Sequence, residues 1–476
     1  MTHLTNWGTK FAPVKPRKLL ALDGGGIRGV MSLEILRKVE RDLAQATGQG
    51  DAFRLGDFFD YIGGTSTGAI IAAGLSIGKT VEQMADFYVE AGPLMFEKSA
   101  LLSRLRSLYV ADPLRKLLQQ VFEERTLGAA DLRSLLLVVT RNATTDSPWP
   151  VSNSPMAYYN NSTRKDCNLQ IPLWQLVRAS TAAPVYFPPE ILAWDKDDPA
   201  KTFFFVDGGV TPYNNPAFLM YRMATLPQYR VNWATGESNM MLMSVGTGSA
   251  AAIALDLDAR GQMVPGNVAH LPGVLMGGAS IDQDINCRTV GRCVFGEPID
   301  RELGDMIPRL PDPVTGSIVP VDTDCGRQFL YARYNPDVSR RGLDALGLPA
   351  INPDHVQALD QVDSITEMQA VGRAYAEKIR GREAVPAILR LARFPLPDEH
   401  RHRSDLEAVI TTASSCPANG SCRLPFALPA SGAPCRRGHR RPCRPTARCN
   451  RLFRRQSWWP PAASTDCCAR RDSRRP

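Results

Sequence analysis

The chain predicts an α/β fold with a mostly parallel central sheet, and three observations lead there. Short apolar runs of strand length alternate with stretches of helical periodicity from residue 18 to residue 245. Glycine-rich turns close several of these runs, at the carboxyl ends where open α/β sheets gather their ligands. The 476 residues are 44% hydrophobic and 22% charged, the balance of a globular chain long enough to bury a sizeable core.

The first strand, Lys18–Leu22, runs into Asp23-Gly24-Gly25-Gly26-Ile27-Arg28-Gly29. A helix is expected over Val30–Ala46, because Leu33, Leu36, Val39 and Leu43 fall on one face. The apolar run Phe58–Ile62 reads as the second strand and Ala69–Ala73 as the start of a helix, with Gly64-Thr65-Ser66-Thr67-Gly68 as the sharp turn between them. Gly74–Thr80 nearly spells a phosphate-binding loop, but Ala73 replaces its first glycine and the segment ends a helix. Gly78 is therefore expected to cap that helix. Thr80–Gly92 is a helix with Val81, Met84, Phe87 and Tyr88 inward, and Leu101–Phe122 is basic and amphipathic. Leu135–Thr140 is a buried strand, Leu173–Ala183 a helix stopped by Pro184, and Phe203–Val206 a strand ending at Asp207-Gly208-Gly209. Met240–Val245 is a further strand, ending in Gly246-Thr247-Gly248. Residues 270–381 read as mixed and mostly helical, with Val356–Ile379 as one long helix or a pair.

Residues 1–395 are expected to form one domain with its core over about 15–381. The tail, 396–476, is rich in Arg, Pro and Cys with almost no aliphatic periodicity, and is expected to be disordered. From residue 401 it holds 16 Arg, no Lys and 4 acidic residues, a net +12. Against the chain's +8, this leaves the first 400 residues at −4. An acidic body gives no footprint for nucleic acid. Four body cysteines, Cys167, Cys287, Cys293 and Cys325, form no disulfide framework. Cys435, His439 and Cys443 are a poor zinc match, so no metal or cofactor is expected. No apolar run reaches membrane-span length and Met1–Lys18 has no signal-like core, so the expected location is cytoplasmic.

Ser66 has the surroundings of a nucleophile. A serine on a strand–turn–helix is pushed out at a helix N-terminus, and Gly64 and Gly68 remove the side chains that would block the turn. Gly24-x-Gly26-x-x-Gly29 also fits a dinucleotide fingerprint, but the next strand ends in Gly-Gly-Thr-Ser where an acid is required. The loop reads better as an oxyanion site, with backbone N–H groups of Gly24, Gly25 and Gly26 and the charge of Arg28. A serine needs a base, and no histidine falls between Ser66 and residue 269; His270 and His355 lack the strand-end context. Asp207 follows a very apolar strand, where desolvation should raise its pKa toward that of a useful base, and Gly208 and Gly209 leave space around it.

Together Asp23–Gly29, Gly64–Gly68 and Asp207–Gly209 resemble the patatin-like phospholipase family. Arg178-Ala179-Ser180-Thr181-Ala182-Ala183-Pro184 and Val245–Gly248 extend the resemblance, which covers residues 15–250 strongly and 270–381 loosely. It implies a three-layer α/β/α domain and a lipid acyl hydrolase working through a serine–aspartate dyad. By that resemblance Ser66 is nucleophile, Asp207 base, and Gly24–Gly26 with Arg28 the oxyanion hole. The implied partner is membrane or micellar phospholipid. Leu94-Met95-Phe96 and Leu101–Tyr109 offer apolar anchors for a peripheral contact. Two alternatives use the same dyad: an esterase or acyltransferase on soluble acyl substrates, and a membrane-degrading effector switched on by a small-molecule nucleotide, as in some bacterial anti-phage systems. A lipid-binding protein with a vestigial site is a third alternative, and intact Ser66 and Asp207 argue against it.

Overall fold

The computed structural model describes residues 16–95, 109, 111–195, 197–249, 264–299, 304–307, 309–311, 318–320 and 326–379, all within the unit Met1–His402. The expected tail, 396–476, with its Cys435, His439 and Cys443, lies outside the described residues.

Eleven strands are described: β1 (Arg17–Leu22), β2 (Tyr61–Thr65), β3 (Leu135–Asn142), β4 (Ser147–Ser152), β5 (Glu190–Ala193), β6 (Thr202–Asp207), β7 (Met240–Val245), β8 (Arg292–Phe295), β9 (Arg309–Pro311), β10 (Ile318–Pro320) and β11 (Leu330–Tyr334). The helices are α1 (Gly29–Thr47), α2 (Leu55–Phe58), α3 (Thr67–Ser76), α4 (Val81–Met95), α5 (Ala111–Phe122), α6 (Leu173–Ser180), α7 (Ala217–Thr225), α8 (Val264–Val290), α9 (Arg340–Ala345), α10 (Pro353–Gln357) and α11 (Ile365–Lys378). β9 and β10 form a separate antiparallel pair.

The main sheet is a row of parallel strands in the order β3-β2-β1-β7-β11-β8. Alternate residues of β1 feed two separate cores. Leu20 and Leu22 pack with α1, α3 and α4, whereas Leu19 and Ala21 pack with α7. The sheet is thus covered by helices on both faces, as a parallel sheet requires. α1 buries Leu33, Leu36, Val39 and Leu43 as its periodicity predicts, and Gly48 ends it at φ 71°. α3 stops at Ser76, where Gly78, at φ 87°, donates back to the Leu75 carbonyl. The near phosphate-binding loop is therefore a helix end.

Several boundaries differ from expectation. Phe58 closes the short α2, and β2 begins only at Tyr61, so one apolar run is shared between two elements. α5 starts at Ala111, and residues 101–108 lie outside the described residues. The region that reads as mostly helical supplies four described strands, of which β8 and β11 join the main sheet.

The antiparallel part of the sheet brings distant residues together. Val139 of β3 pairs with Thr65 of β2 on one side and Pro150 of β4 on the other. Thr140, the next residue, pairs with Asp207 of β6 and Trp149 of β4. With β4 on the far edge in both cases, β2 and β6 share the same edge of β3. They run toward each other and meet at their carboxyl ends. The sequence pattern places Asp207 at the end of one more parallel strand; it arrives instead on an antiparallel strand that faces β2 head-on.

Candidate active site

Ser66 is the residue between β2 and α3. Its backbone sits at φ 55°, ψ −123°, a conformation that non-glycine residues reach only under strain. Close packing holds it there. A Cβ on Gly64 would lie 2.0 Å from the Gly68 carbonyl oxygen, and one on Gly68 would lie 2.2 Å from that of Leu22. Only glycine at both places lets α3 turn back this tightly onto β1 and β2. The Ser66 N–H donates to Ser180 Oγ at 2.9 Å, and that hydroxyl donates onward to the Val139 carbonyl at 2.6 Å.

The head-on meeting of β2 and β6 places the two side chains together. Ser66 Oγ donates to Asp207 Oδ2 at 2.5 Å, across 141 residues of sequence. The Gly209 N–H donates to Oδ1 at 2.7 Å, which fixes the carboxylate plane. Both side chains are buried. Burial pushes the Asp207 pKa up to about 6, against the hydrogen bonds from Ser66 and Gly209 and the positive charge of Arg178. A carboxylate in this state can take a proton near neutral pH.

The glycine loop lies beside Ser66: a Cβ on Gly24 would stand 3.3 Å from the serine's own Cβ. Its N–H groups are not equivalent. That of Gly24 is committed to the Asn214 carbonyl at 3.1 Å, whereas those of Gly25 and Gly26 have no acceptor among the described residues. Gly26 is at φ 59°, and a Cβ there would meet the Leu359 carbonyl at 2.1 Å. The Arg28 guanidinium donates to the carbonyls of Gly25 at 3.3 Å and Gly248 at 3.5 Å. Burial lowers its pKa to about 10, against Asp23 and Tyr186, so it stays charged at neutral pH. Asp23 is gripped by Arg333 of β11 at 2.7 and 2.6 Å, both groups buried. That pairing anchors the loop to the sheet and leaves Asp23 unavailable for a ribose.

Residues 20–221 match the family model described as patatin-like phospholipase. Patatin-T5 of Solanum tuberosum is 30% identical over 246 residues, 49% of this chain and 61% of that protein. Residues 20–221 are thus similar to patatin-like phospholipase domains. Patatin-2-Kuras 4 of the same plant is 31% identical over 244 residues, 48% of this chain and 62% of the relative. The chain thus spans about three fifths of the length of these curated relatives. The crystal structure of VipD from Legionella pneumophila covers 75% of this chain and 67% of its own at 13% identity. The two superpose with a TM-score of 0.32.

A cleft of about 680 Å³, counting the space open at its mouth, is lined by Ser66 and Asp207. Its walls are mainly apolar, with Ile27, Ile70, Met95, Leu114, Phe187 and Met276. Such a lining suits a hydrocarbon chain. His355 lies exposed against Glu367 at 3.0 Å, far from any such role, and the His270 side chain lies outside the described residues. Tyr109 is buried, donating to Asp360 at 2.6 Å, so it offers no anchor to a surface. Phe96 lies outside the described residues.

Three contributors escape reasoning from motifs. Ser180 holds the Ser66 backbone and is legible only as part of the Arg178–Pro184 segment. Asn214 caps Gly24 with its carbonyl and donates to Ser280 Oγ of α8 at 2.9 Å. Arg178 is fully buried, with one bond to the Pro188 carbonyl at 3.1 Å, its Nε and Nη1 unpaired, and the Phe187 ring 5.3 Å away.

Proposed function

We propose that this chain is a serine lipid acyl hydrolase that cleaves ester bonds of glycerophospholipids through a Ser66–Asp207 dyad. The observation that carries the reading is the 2.5 Å bond from Ser66 Oγ to a buried carboxylate of raised pKa, in an apolar cleft. The match of residues 20–221 to a family whose members are lipid acyl hydrolases supports the substrate class.

Asp207 takes the Ser66 proton as Oγ bonds to the ester carbonyl carbon. The carbonyl oxygen becomes an oxyanion beside the unpaired N–H groups of Gly25 and Gly26, which are the better donors because Gly24 is already engaged. Arg28 acts one step back. It holds the Gly25 carbonyl and brings positive charge to the loop without touching the oxyanion. The intermediate collapses, the C–O bond to the glycerol oxygen breaks, and Asp207 returns its proton to that leaving alcohol. Water, deprotonated by Asp207, then attacks the acyl-enzyme, the fatty acid leaves, and Ser66 regains a proton.

The test is fatty-acid release from phospholipid vesicles by wild type, Ser66→Ala and Asp207→Asn, with a fluorophosphonate label alongside. Release by wild type only, with labelling lost in Ser66→Ala, is the expected result. Release that survives Ser66→Ala would sink the mechanism. Labelling of Ser66 without lipid release would move the reading to soluble acyl esters.

A further inference from the structure

We propose that the outer face of α8, together with Leu94 and Val185, seats the protein on a phospholipid bilayer with the cleft mouth toward the lipid. The proposal rests on the acyl-hydrolase reading and locates its membrane contact. α8 has two unlike sides. Inward, Met276 lines the cleft and Ser280 accepts from Asn214. Outward, Val274, Leu275 and Ile281 are 55%, 59% and 44% exposed. Between them a Cβ on Gly277 or Gly278 would meet nothing within 4 Å. Positions 274, 278 and 281 follow one another along a helix stripe. No Asp, Glu, Lys or Arg occurs from Val264 to Ile281. An ordinary surface helix is polar on this side.

Two further exposed apolar residues adjoin cleft-lining residues on other segments. Leu94, 52% exposed, precedes Met95, which lines the cleft. Val185, also exposed, lies between the cleft residues Pro184 and Tyr186. A protein seated on this collar would stop the cleft, whereas a bilayer is the phase that holds long-chain esters. No described helix is long and apolar enough to cross a membrane, so α8 would lie in the interface plane. The first 400 residues carry a net −4, so attachment through this face should be apolar and insensitive to salt.

The test uses the full chain, zwitterionic phosphatidylcholine vesicles and 0.5 M salt, which removes attraction through the Arg-rich tail. Wild type should co-sediment with the vesicles. Val274→Ser/Leu275→Ser should partition about 25-fold more weakly, roughly five-fold for each half-covered side chain. Its rate on a monomeric short-chain ester should stay within two-fold of wild type. Equal partitioning of wild type and variant overturns the proposal. So does a lack of wild-type binding, or a self-associated form that the double variant dissociates. Vesicle binding that the variant weakens, without lipid hydrolysis by wild type, would keep the surface and refute the phospholipid reading. Lipid hydrolysis unaffected by the variant would do the reverse.

Discussion

Replacing Asp207 by Asn should abolish activity and make the protein more stable, with the gain appearing only as the pH rises. In the unfolded chain this carboxyl ionises near its ordinary 3.8; in the folded protein burial moves that to about 6. Between those values the folded state keeps a proton that the unfolded state has released. Wild-type stability therefore falls as pH rises through this window and levels off above about 6. The difference corresponds to roughly 3 kcal/mol. Asparagine has the same shape and retains an oxygen for the Gly209 N–H, but it cannot ionise and carries no such penalty. Urea unfolding at pH 4 and pH 8 measures the effect. Relative to wild type, Asp207→Asn should gain about 2.5 kcal/mol more at pH 8 than at pH 4. A gap that stays constant would show that Asp207 ionises normally and that burial does not tune it. A gap that shrinks with pH would reverse the sign of the argument. The same pKa should set the acid limb of kcat/KM near pH 6, so stability and kinetics must agree.

Other positions answer to other measurements. Ser66→Gly and Ser66→Ala should both be inactive, but the glycine variant should be the more stable by about 1 kcal/mol in urea unfolding, because φ 55° strains any side chain; the reverse ranking would remove the strain. Ser180→Ala leaves the Ser66 N–H and the Val139 carbonyl without their partner, so it should lose about 1–3 kcal/mol and lower kcat more than it alters KM. Arg178→Met removes a positive charge that favours ionised Asp207, so the acid limb of the pH–rate profile should move to higher pH; an unmoved limb would leave Arg178 with packing alone.

Sequence makes legible what depends on neighbours in the chain. Gly64 and Gly68 signal the turn at Ser66 because the close approaches they permit are local. Asp207 stands out because an acid follows three phenylalanines and precedes two glycines. The partners of these residues depend on strand pairing, which short motifs do not encode. Nothing near Asp23 announces Arg333, 310 residues away. Nothing in Thr202–Asp207 says that the strand runs antiparallel to β3. Leu330–Tyr334 is buried at all five positions, so it lacks the alternation that would mark a strand within a region that reads as helical. α8 lies mostly within the stretch read as helical, but it begins at Val264, six residues before that stretch, through Pro265 and Gly266.

In the proposed dyad, the head-on meeting of β2 and β6 would let a carboxylate serve where a histidine is usual. At its ordinary pKa an aspartate is too weak a base to draw a proton from serine. To strengthen it, water must be kept from both oxygens while one oxygen still reaches the nucleophile. A residue at the carboxyl end of a neighbouring parallel strand would sit beside Ser66, open to the same solvent-facing crevice. β6 instead brings Asp207 in along the edge of β3, one register position beyond Thr65. Its Oδ1 is then closed off by the Gly209 N–H, and only Oδ2 faces Ser66. The antiparallel β5–β6 pair therefore belongs to the proposed catalytic apparatus. Any change that shifts β6 by one residue along β3 would turn the position-207 side chain to the other face of the sheet and disable the site with both side chains intact.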